Sequence, residues 1–203
     1  MKMNSKEANN IVGKLSRTSK MPCHSYNLPA TRCITGSKMA KIKGTTCYDC
    51  YALKGMYNFP CVKNAMERRY KAISNPEWVF AMSVLINSKK SKYFRWHDSG
   101  DIQSLEHLQK IFEVCKATPS IKHWLPTRES QILAQVKKED VPDNLIIRLS
   151  AIKVDCNAPK SWPLTSTVLT KNADCPAYKN NGKCADCRRC WDKNIKNVSY
   201  PLH

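Results

Sequence analysis

Near the end of the chain, Cys175-Pro176 is followed by Cys184, Cys187 and Cys190 in a C-P-x7-C-x2-C-x2-C pattern. Two consecutive C-x2-C steps let a tight loop aim three sulfurs at one centre, with the fourth returning from a short excursion. That is a metal-ligand set. Cysteines at these intervals beside a Cys-Pro are the local pattern by which bacterial ferredoxins hold [4Fe-4S] clusters. Structural zinc sites more often use two well-separated C-x2-C pairs, so iron-sulfur is the favoured reading and zinc the alternative metal. A disulfide framework fits poorly, because the chain has 11 Cys, an odd number, and residues 1–20 hold no apolar signal-peptide core. The expected compartment is a reducing cytoplasm.

A second pair, Cys47-Tyr48-Asp49-Cys50-Tyr51-Ala52, lies in a turn-rich stretch from Met21 to Gly55 that also holds Cys23 and Cys33. Irregular structure of this length inside a compact domain usually signals function or disorder, and a buried metal would explain how it is ordered. A third feature is His97-Asp98-Ser99-Gly100-Asp101. Its two carboxylates around a Ser-Gly turn could hold a cation or an ammonium group; the plainer alternative is a helix start at which Asp101 complements the dipole.

These groups need a scaffold, and the middle of the chain reads as alternating helices and strands. Val62 to Ile73 carries Val62, Met66, Tyr70 and Ile73 near one helical face, and Asn75-Pro76 starts a second helix running to about Asn87. Tyr93 to Trp96 is a strand candidate. Ser104 caps a helix in which Leu105, Leu108, Phe112 and Cys115 recur at helical spacing. Ile121 to Leu125 and Leu145 to Ser150 are further strands, separated by a short helix from Gln131 to Lys138. Strand, helix, strand, helix, strand implies right-handed crossovers and a parallel sheet. In such sheets chemistry gathers where strands end, which singles out His97, Asp98 and Asp101, then Thr127, Arg128 and Glu129, then Arg148 and Ser150.

The chain divides into a polar, basic segment at 1–20 expected on the surface, a body at 21–170 with a cysteine-rich entry loop, and a cysteine-rich tail at 171–203. Cys115 is read as core, Trp78, Trp124 and Trp162 as core or rim rather than stacking platforms for bases, Cys61 and Cys156 as lone thiols, and His203 as a terminal residue with an outside chance of docking or ligation. The formal charge of +18, from 34 Lys and Arg against 16 Asp and Glu, suggests a polyanionic partner such as nucleic acid, although the cations are spread along the chain. No apolar run is long enough to cross a bilayer, so no membrane partner is expected.

Several of these motifs together resemble one family. Cys47-x2-Cys50-Tyr51-Ala52, Phe94 to Asp101, Leu125-Pro126-Thr127-Arg128-Glu129, Asn144-Leu145 to Leu149-Ser150, and Cys175-Pro176 through Cys190-Trp191 look like the phage gene product 88 family. More distantly, the C-x2-C-Tyr-Ala step and the strand ends are similar to phage radical S-adenosylmethionine (SAM) proteins of the gene product 37/68 type. That resemblance implies an α/β fold with a partial parallel β/α barrel. It implies Cys33, Cys47 and Cys50 as three ligands of a cluster whose fourth iron is free for SAM, with Ser99, Gly100 and Asp101 where the amino group is received. The familiar spacing is C-x3-C-x2-C and this chain has C-x13-C-x2-C, so Cys23, His24 or His97 could instead complete a closed cluster.

The expected function is a phage-encoded iron-sulfur protein of the host cytoplasm, with one or two [4Fe-4S] clusters and radical-SAM-like or redox chemistry. The expected catalytic residues are Asp98, Asp101 and Arg128. Ser99, Gly100, Arg148 and Ser150 are expected to bind a small-molecule cofactor such as SAM. Cys33, Cys47, Cys50, Cys175, Cys184, Cys187 and Cys190 are expected to hold metal. A redox partner is also expected. The competing reading is a basic nucleic-acid-binding module whose metal centres only staple loops.

Overall fold

The computed structural model describes residues 3–202; His203 lies outside the described residues. Seven strands form one sheet in chain order: β1 (Ser16–Arg17), β2 (His24–Tyr26), β3 (Tyr93–Trp96), β4 (Lys122–Thr127), β5 (Leu145–Ser150), β6 (Thr165–Leu169) and β7 (Asn197–Pro201). Only β1 and β2 pair antiparallel; every later neighbour is parallel. The sheet is open, with β1 and β7 at its edges. The α/β class and parallel sheet are therefore as expected, while closure into a barrel is not seen.

Alternation along the strands sorts the two faces. Phe94 and Trp96 of β3, Leu125 of β4, and Leu145, Ile147 and Leu149 of β5 enter the main core. The helical layer consists of α1 (Ser5–Val12), α3 (Pro60–Ala72), α4 (Trp78–Asn87) and α5 (Leu105–Ala117), with α1 and α5 both packed on α4. Within α4, Trp78, Ala81, Met82, Leu85 and Ile86 are buried, as befits a helix wedged between neighbours. The intervening strand residues face the other way, where Arg95 and Trp124 are cross-strand neighbours, as are Trp124 and Ile146.

That second face is covered by loops. Between β2 and β3 the chain forms α2 (Ile34–Met39) before reaching α3, and between β4 and β5 its α-helix is the single-turn α6 (Ser130–Leu133). After β5 the crossovers contain no α-helix. The cysteine-rich tail instead folds back over the sheet, where the Trp191 indole N–H donates to the Phe94 carbonyl at 3.0 Å and its ring meets Trp124 edge-on at 5.2 Å.

Two expectations are corrected. The N-terminal segment expected on the surface contributes to the core: α1 carries a capping box between Asn4 and Glu7 and buries Ala8 and Val12. Two core-facing residues one turn apart are too few to show as a period. The helix expected over 131–138 shortens to α6, and Lys138–Asp140 is a 3-10 turn.

Candidate functional site

The strand ends and the cysteine loops meet around one cavity of about 850 Å³. Its wall includes Cys33, Cys47 and Cys50 from the entry loop and Cys175, Cys184 and Cys190 from the tail, with Arg95, Asp98, Asp101, Arg128 and Ser150 between them. Two cysteine groups far apart in sequence thus open onto the same space. Cys187 is half-buried beside its group, its amide donating to the Cys184 carbonyl at 2.9 Å.

Each cysteine of the entry loop is held through a neighbour. The buried Glu129 carboxylate accepts the Thr35 N–H at 2.9 Å and the Thr35 hydroxyl at 2.6 Å, anchoring α2 just after Cys33. Arg128 Nε donates to the Thr46 hydroxyl at 2.9 Å, and the Thr46 N–H donates to the Ile152 carbonyl at 2.8 Å, beside Cys47. The Tyr51 hydroxyl donates to the Asp98 carbonyl, beside Cys50. Three consecutive strand ends, those of β3, β4 and β5, therefore position one loop. Gly36 leaves the room this requires: a Cβ there would lie 3.0 Å from Cys33 Cβ, 3.5 Å from Cys33 Sγ and 3.6 Å from Cys47 Sγ. Glycine inside a helix costs about 1 kcal/mol relative to alanine, and the two sulfurs supply the reason for it here.

The tail group is organised by Arg148. Its five guanidinium N–H groups donate to the carbonyls of Thr165, Arg189, Cys190, Asp192 and Ile195 at 2.8–3.3 Å. The expectation that Arg148 binds a cofactor is corrected accordingly: its donors are spent on the tail. Arg189 pairs with Asp174 at 2.7 Å, and Asp174 in turn accepts the Ser199 N–H at 2.7 Å, closing the tail onto β7. Between Cys184 and Cys187, Ala185 adopts φ +44°, a strained conformation that persists only where surroundings impose it.

Cys23, left open as a fourth ligand for the entry loop, lies instead with the tail group. It is buried with Trp124 and Trp191, with Cys190 packed alongside, and its thiol lies near Cys184. His24 faces Lys89 and Arg17. His97 borders the cavity with φ +53°, its Nδ1–H donating to the Tyr26 carbonyl at 3.1 Å.

Ser99 and Gly100 are used by the scaffold. The Ser99 hydroxyl donates to the Leu28 carbonyl at 2.8 Å, and a Cβ on Gly100 would lie 2.6 Å from Leu28 Cβ at φ +77°. Asp101 accepts the Arg128 N–H at 2.9 Å and the Ile102 N–H at 2.8 Å, while burial pushes its carboxyl up to about 6. Ser150 shares a hydrogen bond with Ser166 at 2.9 Å.

Electrostatics narrows the chemistry of the sulfurs. Burial raises the Cys33, Cys47 and Cys184 thiols, and pushes Cys190 up to about 11 and Cys23 up to about 12. Such thiols are protonated at neutral pH and make poor nucleophiles, whereas a bound metal deprotonates a coordinating thiol outright. Arg128 near Cys47, and Arg95 near Cys184 and Cys190, would favour the thiolate form. Among the described residues no group of three or more His, Cys, Asp or Glu side chains converges as a single-ion site.

The family model for gene product 88 matches residues 1–193. The chain belongs to the gene product 88 family. No curated protein and no solved structure matches it. The family match covers both the entry loop with Cys33, Cys47 and Cys50 and the tail cysteines through Cys190, so the gene product 88 family model spans the wall of the cavity apart from Tyr200, Pro201 and Leu202. Glu129 was visible in sequence only as part of a polar strand end. Arg95 was visible only as the charged residue of an aromatic strand, and nothing local marked it as facing the cysteines.

Proposed function

We propose that this gene product 88 family member is an iron-sulfur protein that carries out radical-SAM-like or redox chemistry in the cavity. Cys33, Cys47 and Cys50 would form one ligand set and Cys175, Cys184, Cys187 and Cys190 a second. The observation that carries this reading is the convergence of the two cysteine groups on one cavity beside the ends of β3, β4 and β5. The Gly36 cradle supports it, because Gly36 adds no side chain beside the Cys33 and Cys47 sulfurs. So does the successive strand order, which a partial β/α barrel would also have. A cavity of about 850 Å³ falls within the range that holds a small molecule.

In this reading Arg95 and Arg128 offset negative charge on the sulfurs, and a four-thiolate [4Fe-4S] centre carries about two such charges. Bound clusters would supply single-electron transfer; the chain's own residues hold the sulfurs, screen them from water and present polar groups to whatever shares the cavity. Zinc at both sites is the alternative metal. The deciding measurement is iron, sulfide and zinc analysis of the whole chain purified without oxygen. Brown protein with iron and sulfide near four per site is expected; colourless, zinc-loaded protein ends this reading. Cys187→Ala should remove one centre and leave the other.

A second reading has its own support. Lys14, Arg68 and Lys71 border a shallow groove with Asn9, Asn10 and Asn75, and none of the three cations has a salt bridge among the described residues. On a chain of net charge +18 this suits a phosphate backbone. Affinity for single- or double-stranded nucleic acid should then fall steeply with salt, and no binding at low salt removes the reading.

A further inference from the structure

Asp98 and Arg95 both border the cavity, and each keeps a buried polar atom with no hydrogen-bond partner among the described residues. Asp98 is 3 % exposed, and its Oδ1 has no hydrogen-bond partner among the described residues. Its Oδ2 has only long contacts, 3.4 Å from the Tyr57 hydroxyl and 3.5 Å from Asn27 Nδ2. Arg95 lies with its guanidinium 4.7 Å from the Trp124 ring and interacts with the Tyr51 hydroxyl, while its Nε–H has no hydrogen-bond partner among the described residues. The two residues are three positions apart at the end of β3, yet no ion pair joins them among the described residues.

A buried carboxylate oxygen without a donor and a buried guanidinium N–H without an acceptor each cost free energy that a ligand can recover. An acceptor and a donor on the wall of one cavity match a zwitterion, with an ammonium on Asp98 and a carboxylate on Arg95. The rest of the wall is largely apolar, with Tyr51, Trp124, Pro126 and Val168 among its residues, and its volume exceeds what a head group alone would fill. We infer that the cavity binds a small molecule with an α-amino-acid head, gripped by Asp98 and Arg95, and a large apolar or aromatic body. The inference deepens the proposed function and rests on it for what becomes of the ligand, but binding itself needs only these side chains. It also moves head-group recognition away from Ser99, Gly100 and Asp101, whose polar groups the scaffold uses.

The test is calorimetric titration of the whole chain purified without oxygen. Probes are L-tryptophan, its methyl ester, indole-3-propionate, and S-adenosyl-L-homocysteine as a second source of the same head group. At least one of the two intact amino acids should bind. If L-tryptophan does, the ester and the deaminated acid should each bind about tenfold or more weakly, as expected for loss of a charge-assisted contact. If only S-adenosyl-L-homocysteine does, its own deaminated and esterified forms replace them. Asp98→Asn should weaken the intact ligand and leave the deaminated one unchanged, and Arg95→Gln should do the same for the ester. No binding by either amino acid overturns the inference, and so does binding that both variants leave unaltered or that both abolish for every probe. Iron and sulfide are measured on the same preparation: a metal-free protein that still binds refutes the cluster reading alone, and a cluster-loaded protein that binds nothing refutes this inference alone.

Discussion

The Glu129 carboxylate, at the end of β4, accepts both the N–H and the hydroxyl of Thr35 across 94 residues of sequence. The α2 helix has no side-chain cap of its own, so this contact does the work of a cap and sets where Cys33 stands. Arg128, the preceding residue, holds Thr46 on the other arm of the same loop. One strand end therefore positions both arms.

Glu129→Gln should lower stability by about 1–3 kcal/mol, the scale of losing a buried hydrogen bond to a charged group. Urea unfolding measures it. If the entry loop holds a cluster, iron per chain should drop in parallel, and an unchanged midpoint would show that Glu129 does not anchor the loop.

Arg148→Met should cost about 3 kcal/mol or more, because carbonyls of the tail lose their donors in a buried setting. Limited proteolysis should then cut within residues 170–196 well before the body of the chain. Equal protection of tail and body in the variant would count against this role.

Gly36→Ala ordinarily would stabilise a helix by up to about 1 kcal/mol. Here the added carbon would press on Cys33 and sit among two sulfurs, so no gain is expected; if both cysteine groups hold clusters, iron at the entry loop should fall while a tail centre is retained. Metal analysis with thermal unfolding tests both parts.

Gly100→Ala should destabilise by about 2 kcal/mol or more, since φ is +77° and the new carbon would meet Leu28 backbone and side chain below 3 Å. A chemical denaturation midpoint equal to that of the parent protein would contradict the packing described.

Acid should unfold this protein early. Burial holds His97 and His123 down to about 3, and His107 well below the 6.5 of a free imidazole. As pH falls below 6.5 the unfolded chain takes up protons that the folded one refuses, so stability is full above that pH and drops below it, by up to about 1.4 kcal/mol per pH unit for each histidine. Asp101 acts oppositely: its carboxyl, raised from 3.8 to about 6, favours the fold at low pH and that contribution is lost as pH rises through this window. Three groups against one leave a net loss in acid, which unfolding at pH 7 and pH 5 would measure.

What the sequence by itself determined is local. The strands Tyr93–Trp96 and Leu145–Ser150, the helix capped by Ser104, and the C-x2-C steps are all legible, because periodicity, capping and ligand spacing are properties of contiguous residues. Tertiary structure alone decided that the two cysteine groups share one cavity, that Cys23 joins the tail, that Arg148 serves the tail backbone, and that Arg95 Nε and Asp98 Oδ1 keep no hydrogen-bond partner among the described residues at the cavity wall. The short strands β2, β6 and β7 were equally hidden, since buried Thr165, Ser166 and Ser199 read as polar until their partners are known. A side chain's partner depends on which distant strand ends the sheet register brings together, and no spacing along the chain encodes that.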